Sequence, residues 1–162
     1  MYCFESIVRY SEIDAHNRMK LGAAFDLMQD CCTFHSEELG IGIDYLRRAH
    51  KAWALSSWQV AISRLPAMGE KIRAYTWPYD FKKSLGYRNF KIDDERGETL
   101  VCANSIWVYV DTDSGRPVRL PQEVAARYAL EPSCKMECAG RKISLPDQME
   151  PKEPLRVGRF HI

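Results

Sequence analysis

Acidic, amide and imidazole side chains lie close together in one short segment. Asp14, His16 and Asn17 precede a long stretch of periodic apolar residues that begins at Leu21. A carboxylate or an imidazole in this place could activate water, and the N–H groups at a helix start could polarise a carbonyl oxygen. These three residues are therefore the candidate catalytic groups. The alternative is that Asp14 and Asn17 organise a loop through hydrogen bonds to the local backbone, with His16 solvated.

Several motifs that would identify other chemistry are missing from the sequence. It contains no GxxxxGK[ST] phosphate loop and no Gly-x-Ser-x-Gly elbow, which argues against nucleotide hydrolysis and serine hydrolase chemistry. Cys134 and Cys138 have no second Cys or His pair at zinc-site spacing, so we expect no metal. Cys31 and Cys32 are adjacent on a helical pattern and Cys102 lies in an apolar strand, which favours buried thiols over disulfides.

The charge balance gives no sign of a polyanionic partner. The 162 residues include 23 Lys and Arg against 22 Asp and Glu, so no overall field favours nucleic acid or a membrane surface. The first residues have neither a basic segment nor an apolar segment of a secretory signal, and no apolar run reaches the length of a membrane span. We therefore expect a cytoplasmic protein.

One long helix is predicted directly after the segment that carries Asp14. The apolar stripe ends near Gly40, which is a plausible helix C-terminus. Gln29 and His35 lie on this helix, and a His within an apolar stripe is predicted to be a hydrogen-bonded core residue rather than a base. Spacings of three and four residues define the buried stripe, which consists of Leu21, Ala24, Phe25, Met28, Cys31, Cys32, His35 and Leu39.

Strand patterns dominate the rest of the chain. Short turn segments separate the long strands, so we expect an antiparallel meander, because parallel neighbours need longer crossovers. In the last strand the predicted buried face, with Asn104 as its polar exception, consists of Leu100, Cys102, Ile106, Val108 and Val110. The predicted strands are 3–9, 53–64, 71–79, 85–93 and 98–111, with short helices at 44–50 and 122–129.

One long helix followed by such a meander predicts an α+β chain of the hotdog fold, an antiparallel β-sheet wrapped around a long central α-helix. We expect this domain to occupy residues 1–130. Residues 131–153 contain prolines and mixed charge without a sustained period, which is typical of a linker or a surface wrap. A strand pattern resumes at residues 154–162.

Taken in order, several stretches resemble the N-terminal domain of bacterial and plant acyl-acyl carrier protein (acyl-ACP) thioesterases. The resemblance covers most of the chain and rests on the ordered set rather than on any one piece. The stretches are residues 9–14 (RYSEID), 27–30 (LMQD) with His35, 53–55 (WAL), 64–70 (RLPAMGE), 88–90 (RNF), 105–111 (SIWVYVD) and 119–121 (RLP).

The resemblance implies a thioester hydrolase that converts fatty acyl-ACP to free fatty acid and ACP without a cofactor, in fatty acid biosynthesis. Members of the family contain two hotdog domains joined by a linker, and an Asp-x-Asn-x-His motif in the second domain carries catalysis. Residues 154–162 are similar to the strand that precedes this motif, so the motif is expected after Ile162, where the given sequence stops. The chain is therefore expected to be the N-terminal, acyl-pocket domain.

The resemblance also implies residues for substrate and carrier. An acyl tunnel between helix and sheet is predicted, although core packing would produce the same apolar pattern. Lys82, Lys83 and Arg88 form the densest basic cluster and are the candidates for docking acidic ACP, with a solvated loop as the alternative. The candidate pocket residues are Phe25, Met28, Cys32, Trp53, Leu55 and Trp58.

Two other functions fit the same sequence. The chain can be a non-catalytic acyl-binding hotdog module that pairs with a second hotdog domain or forms a homodimer. It can also be a single-hotdog acyl-CoA thioesterase that acts as a homodimer and uses Asp14, His16 or Asn17. Loss of activity in a folded Asp14→Asn variant would separate the thioesterase from the module.

Overall fold

The computed structural model describes residues 1–137, and the predicted long helix is present in it. A 3-10 turn at Tyr10–Glu12 precedes this helix. The strands and helices are β1 (Tyr2–Ile7), α1 (Leu21–Glu38), α2 (Ile43–Arg48), β2 (Lys51–Ile62), β3 (Lys71–Lys82), β4 (Leu85–Asp94), β5 (Thr99–Asp111) and α3 (Gln122–Ala125).

All five strands form one antiparallel sheet in the order β1-β3-β4-β5-β2. The α+β hotdog prediction is confirmed, but the meander holds only for β3, β4 and β5. The expectation that β2 neighbours β3 is wrong, because β2 pairs with β5 at the far edge of the sheet. Residues 63–70 make this possible, since they form a loop rather than a tight turn and cross about 14 Å, three strand spacings.

Hydrogen bonds fix that crossing loop at both of its ends. Arg64 Nη1 donates to Glu70 Oε2 at 2.8 Å, and Glu70 Oε1 accepts from the backbone N–H of Ala67 at 2.8 Å. The backbone N–H of Met19 donates to the carbonyl oxygen of Pro66 at 2.8 Å. The loop is therefore tied to the segment that leads into α1.

The core lies between α1 and one face of the sheet, which we call the inner face. Met28 has no exposed surface, and the Cys31 thiol donates to the carbonyl oxygen of Ala74 at 3.4 Å. Burial of these apolar side chains is the main favourable term in holding the helix on the sheet. The core residues shared by α1 and the three central strands are Ala24, Leu27, Met28, Cys31, Ile72, Ala74, Phe90, Ile92, Leu100, Val101 and Ala103.

Most of the residues that were predicted to form the buried face of β5 lie on the outer face of the sheet, although Leu100 is in the core. Val101 and Ala103 pack in the core, whereas Cys102 contacts Cys134 at 3.3 Å between the two sulfur atoms. The prediction failed because residues 131–137 run over the outer face and make it half-buried as well. Trp77 Nε1 donates to the carbonyl oxygen of Pro132 at 2.9 Å, which holds this segment in place.

The remaining domain predictions fall largely outside the described residues. Only residues 131–137 of the predicted linker are described, and the predicted strand at 154–162 lies wholly beyond them. The catalytic motif expected after Ile162 likewise lies outside the described residues, so its presence stays a prediction. In the part of the chain that is described, no helix has the length and apolar character needed to cross a membrane.

The packing of α1 predicts a large cost for shortening Met28. Met28→Ala should lower the free energy of unfolding by about 2–5 kcal/mol, because it leaves a cavity in a fully buried place. Met68→Ala is the matched control, since Met68 is 49 % exposed in the crossing loop. Urea unfolding of the two variants measures the difference, and equal midpoints would show that α1 does not pack as described.

Candidate functional site

A cavity lies between the C-terminal half of α1 and the inner face of the sheet. Its empty space, counting the volume open to solvent, is about 380 Å³. Half of the ten lining residues are aromatic, and Arg88 is the one charged residue that the described part of the chain contributes. The lining residues are Cys32, Ser36, Trp53, Pro78, Phe81, Gly86, Tyr87, Arg88, Trp107 and Tyr128.

The cavity exists because small residues face one another across it. Cys32 and Ser36 are the contributions of α1, and Gly86 is the contribution of β4. A Cβ atom added at Gly86 would lie 3.0 Å from the ring of Trp53 and 3.2 Å from the ring of Phe81. Any larger residue at this position would therefore displace the aromatic wall.

A groove between α1, α2 and the start of β2 adjoins the cavity. The two share Cys32, Ser36, Trp53 and Trp107, so the groove is the approach to the cavity. It runs along Lys51, Ala52 and Trp53 of β2. The cavity therefore opens beside an edge strand of the sheet.

The structure divides the six predicted pocket residues into three groups. Cys32 and Trp53 line both the cavity and the groove. Met28, Phe25 and Trp58 are core residues, and the ring of Trp58 lies 4.9 Å from that of Phe25 and 5.3 Å from that of Phe90 between centroids. Leu55 is 46 % exposed on β2 and does not line the cavity.

A polar cluster lies at the wall of the cavity. Arg88 Nη1 lies 3.2 Å from His35 Nδ1 and donates to Thr76 Oγ1 at 3.0 Å. The guanidinium carbon lies 5.3 Å from the ring centroid of Tyr128, which is a cation–π distance. The Tyr128 hydroxyl is 2.9 Å from Ser36 Oγ. These contacts connect α1, β3, β4 and the segment after α3.

Burial controls the protonation of the groups around this cluster. Burial, followed by the neighbouring charge of Arg88, lowers the pKa of His35 to about 4, so the imidazole is neutral at pH 7. It then accepts from Arg88 at Nδ1 and carries its proton on Nε2. Burial also raises the pKa of Cys32, and it raises the pKa of Cys31 to about 12. Both thiols therefore stay protonated and are poor nucleophiles.

The three candidate catalytic residues are exposed and lie at the other end of α1. Asp14 Oδ1 accepts from the backbone N–H of His16 at 2.8 Å and of Arg18 at 3.0 Å, and these bonds lower the pKa of Asp14. Asn17 Oδ1 accepts from the N–H of Met68 at 3.3 Å. Eleven helical residues lie between this loop and Cys32, and the twelve rises from Lys20 to Cys32 span about 18 Å along the axis. Within one chain the loop does not reach the cavity, and its catalytic role stays a prediction.

The expected basic surface cluster is smaller than predicted. Lys82 and Lys83 are exposed at the turn between β3 and β4, and Lys82 Nζ pairs with Asp80 Oδ2 at 2.8 Å. Arg88 does not belong to that surface, because it is only 8 % exposed and faces the core. The structure therefore separates Arg88 from the two lysines.

Sequence reasoning missed the role of Arg88 and most of the aromatic wall. A signal was present, because Arg88 alternates with Phe90 and Ile92, and the side chains of a strand at that spacing share a face. Trp107 likewise alternates with Ala103 on the inner face of β5. Tyr128 carried no such signal, since it lies after the short helix α3.

The geometry favours binding rather than bond cleavage at the cavity. The walls are apolar and aromatic, the thiols are protonated, and the described residues place no carboxylate in the wall. Among residues 1–137 no group of three or more His, Cys, Asp or Glu side chains could hold a metal ion. The cavity is suited to an apolar chain that enters from the groove.

The chain is similar to known proteins along most of its length. Residues 2–128 match the family model described as acyl-ACP thioesterase N-terminal domain. A chloroplastic palmitoyl-acyl carrier protein thioesterase from Cuphea hookeriana is 26 % identical over 132 residues, which are 77 % of this chain and 31 % of the relative. The chain thus spans about a third of the length of the curated relatives it matches.

Two solved structures share the fold. An acyl-ACP thioesterase from Bacteroides thetaiotaomicron superposes with a TM-score of 0.79 at 22 % identity, covering 90 % of this chain and 60 % of that one. A DHNA-CoA thioesterase from Staphylococcus aureus superposes with a TM-score of 0.71 at 17 % identity, covering 78 % of this chain and 89 % of that one. At these identities the likeness supports the fold alone.

The lowered pKa of His35 predicts an acid-sensitive stability. As the pH falls from about 6.5 to about 4, His35 becomes protonated in the unfolded chain but stays neutral in the folded protein. The wild type should therefore lose about 1–3 kcal/mol of stability relative to His35→Gln over that window, the range allowing for partial solvent screening. Below about pH 4 the difference stays constant.

Urea unfolding between pH 7 and pH 4 measures this difference. His16→Gln is the matched control, because His16 is exposed in the loop before α1. Parallel stability curves for the wild type and His35→Gln would contradict the described burial of His35.

Proposed function

Because the chain belongs to the acyl-ACP thioesterase family, with residues 2–128 as its N-terminal domain, we propose that it forms the acyl-binding half of a fatty acyl-ACP thioesterase. In the complete enzyme water adds to the thioester carbonyl carbon, a C–O bond forms and the C–S bond breaks. Free fatty acid and the ACP thiol are released, and no cofactor takes part. The proposal places this reaction in fatty acid biosynthesis in the cytoplasm.

The observation that carries the proposal is the cavity between α1 and the inner face. Its wall is mainly apolar and aromatic, and it opens into a groove beside β2. At Gly86 the absence of a side chain leaves room for a ligand. Binding of an alkyl chain needs such a dry, concave wall. The acyl group would occupy the cavity, with its thioester towards the groove.

Catalytic groups are proposed to come from a second hotdog domain. The described residues supply the cavity wall with no carboxylate and no activated thiol, and the loop with Asp14, His16 and Asn17 is about 18 Å away along α1. The curated relatives are about three times as long as the matched segment. In this proposal residues 131–153 are the linker, residues 154–162 begin the second domain, and the catalytic motif follows Ile162.

The second hotdog domain, or a second copy of the chain, is proposed to pair with β2. In the described residues this twelve-residue strand pairs on one side only, with β5. Leu55 and Ile62 are 46 % and 43 % exposed on it. A long edge with apolar side chains favours addition of another strand. Such a partner would cover the groove that leads to the cavity.

ACP is proposed to dock at Lys82 and Lys83. Their turn joins the two strands that supply Phe81 and Gly86 to the cavity wall, so a carrier bound there lies close to the bound acyl group. The attraction between acidic ACP and two lysines would be sensitive to salt. Arg88 is left out of this surface, because it is buried.

Substituting Gly86 tests the acyl pocket. Gly86→Ala should weaken binding of S-decanoylpantetheine by about tenfold, because the new methyl group displaces Trp53 and Phe81. Gly22→Ala is the matched control, since a Cβ atom there meets nothing within 4 Å. Isothermal titration calorimetry measures the affinities. Equal affinities in the two folded variants would remove the cavity from the binding site.

A single-hotdog acyl-CoA thioesterase is the second candidate. It rests on Asp14, whose exposed carboxylate lies just before α1 beside His16 and Asn17. In that case a homodimer would bring the Asp14 loop of one protomer to the cavity of its partner.

Thioester turnover by the purified chain distinguishes the candidates. We expect no release of free thiol above background from palmitoyl-ACP or palmitoyl-CoA, because catalysis is assigned to a second domain. If turnover occurs and Asp14→Asn abolishes it while Asp26→Asn does not, the homodimeric thioesterase is the correct function. Asp26 is a solvent-accessible carboxylate on α1 and controls for the loss of one negative charge. Acyl binding without turnover, even in the presence of a second hotdog domain, would identify a non-catalytic module.

A further inference from the structure

Arg88 is a buried cation whose polar neighbours in the described residues are all neutral. It is 8 % exposed on the inner face of β4. Its hydrogen-bonding contacts are His35 Nδ1 at 3.2 Å and Thr76 Oγ1 at 3.0 Å, and the ring of Tyr128 lies over its guanidinium at 5.3 Å. An imidazole, a hydroxyl group and a phenol ring carry no negative charge, so none of these contacts supplies a counter-ion.

The other arginines that form ion pairs are far more accessible. Arg9, Arg47, Arg64 and Arg73 each contact a carboxylate, with side chains that are 39 % to 76 % exposed. Within residues 1–137 no carboxylate lies within ion-pair distance of Arg88. The buried guanidinium of Arg88 therefore lacks the carboxylate partner that each of these accessible arginines has.

Burying the Arg88 guanidinium without a counter-ion costs free energy, and a bound anion would offset that cost. A guanidinium keeps its proton at any physiological pH, so burial cannot be relieved by deprotonation. Two hydrogen bonds and a cation–π contact offset only part of the lost hydration. Both hydrogen bonds use Nη1, and in the described part of the chain neither Nε nor Nη2 makes one. Donors remain for a ligand.

Arg88 lines the cavity, and this location indicates the ligand. Around it the wall is formed by Trp53, Phe81, Trp107 and Tyr128, so an apolar chain and one anionic group fit together. A carboxylate matches the forked donors of a guanidinium in geometry and charge. We propose that Arg88 is a specificity-determining residue that binds a carboxylate carried on the apolar chain in the cavity.

Two ligands would present this chemistry. One is the free fatty acid product, bound with its carboxylate at Arg88 and therefore in the reverse of the orientation proposed for the acyl thioester. The other is an acyl group with a second carboxylate at the end remote from the thioester. The inference rests on the proposed function, because it takes the cavity as the acyl site.

Binding of matched ligand pairs to the wild-type chain tests the inference. The first pair is octanoate and octan-1-ol, and the second is S-(7-carboxyheptanoyl)pantetheine and S-octanoylpantetheine. Quenching of tryptophan fluorescence reports binding, since Trp53 and Trp107 line the cavity. The carboxylate member of at least one pair should bind about tenfold more tightly, as a charge-assisted hydrogen bond in a buried site predicts. A preference in the first pair alone identifies the product, and a preference in the second identifies a carboxylated acyl chain.

Removing the charge should abolish the preference but not the binding. Arg88→Met should bind octanoate and octan-1-ol equally, and Arg96→Met, in the exposed turn after β4, should keep the preference. Should Arg88→Met fail to fold, the wild-type ligand pairs still decide the question. Equal affinities within both pairs would overturn the role of Arg88.

The same titrations separate this inference from the proposed function. If octan-1-ol and S-octanoylpantetheine bind as tightly as their carboxylate counterparts, the acyl pocket is supported and only the proposed role of Arg88 is wrong. If none of the four ligands binds, the acyl pocket itself fails.

Discussion

The contact between α1 and the inner face of the sheet determines both the stability of the fold and the place of its cavity. In the first half of the helix Ala24 and Met28 are completely buried, and the helix meets the sheet closely. In the second half Cys32 and Ser36 are small and face Gly86 of β4. One helix thus closes the core at one end and leaves a space at the other.

The polar side chains within this contact depend on the same burial. His35 stays neutral because it is packed between Tyr2 and Tyr128, with ring centroids 5.4 Å away on each side, and beside Arg88. Arg88 in turn contacts side chains from α1, from β3 and from the segment after α3. A cation in this position changes an apolar space into one that distinguishes ligands by charge.

Much of the fold could be predicted because local periodicity records which residues are buried. The stripe from Leu21 predicted α1, and the aromatic and β-branched runs predicted the strands. The position of β2 beside β5 could not be predicted, since the length of residues 63–70 permits either neighbour. The inner face of β5 was misassigned because apolar side chains lie on both of its faces, and residues 131–137 lie over the outer one. Arg88 was placed on the surface because its charge outweighed its alternation with Phe90.

The proposed acyl pocket is tested most directly by the indole N–H signals of the four tryptophans in an NMR titration with S-decanoylpantetheine. Trp53 and Trp107 line the cavity, whereas Trp77 lies on the outer face and donates to the carbonyl oxygen of Pro132. The account predicts that the Trp53 and Trp107 signals shift on acyl binding and that the Trp77 signal does not. A shift of Trp77 with Trp53 and Trp107 unchanged would contradict it.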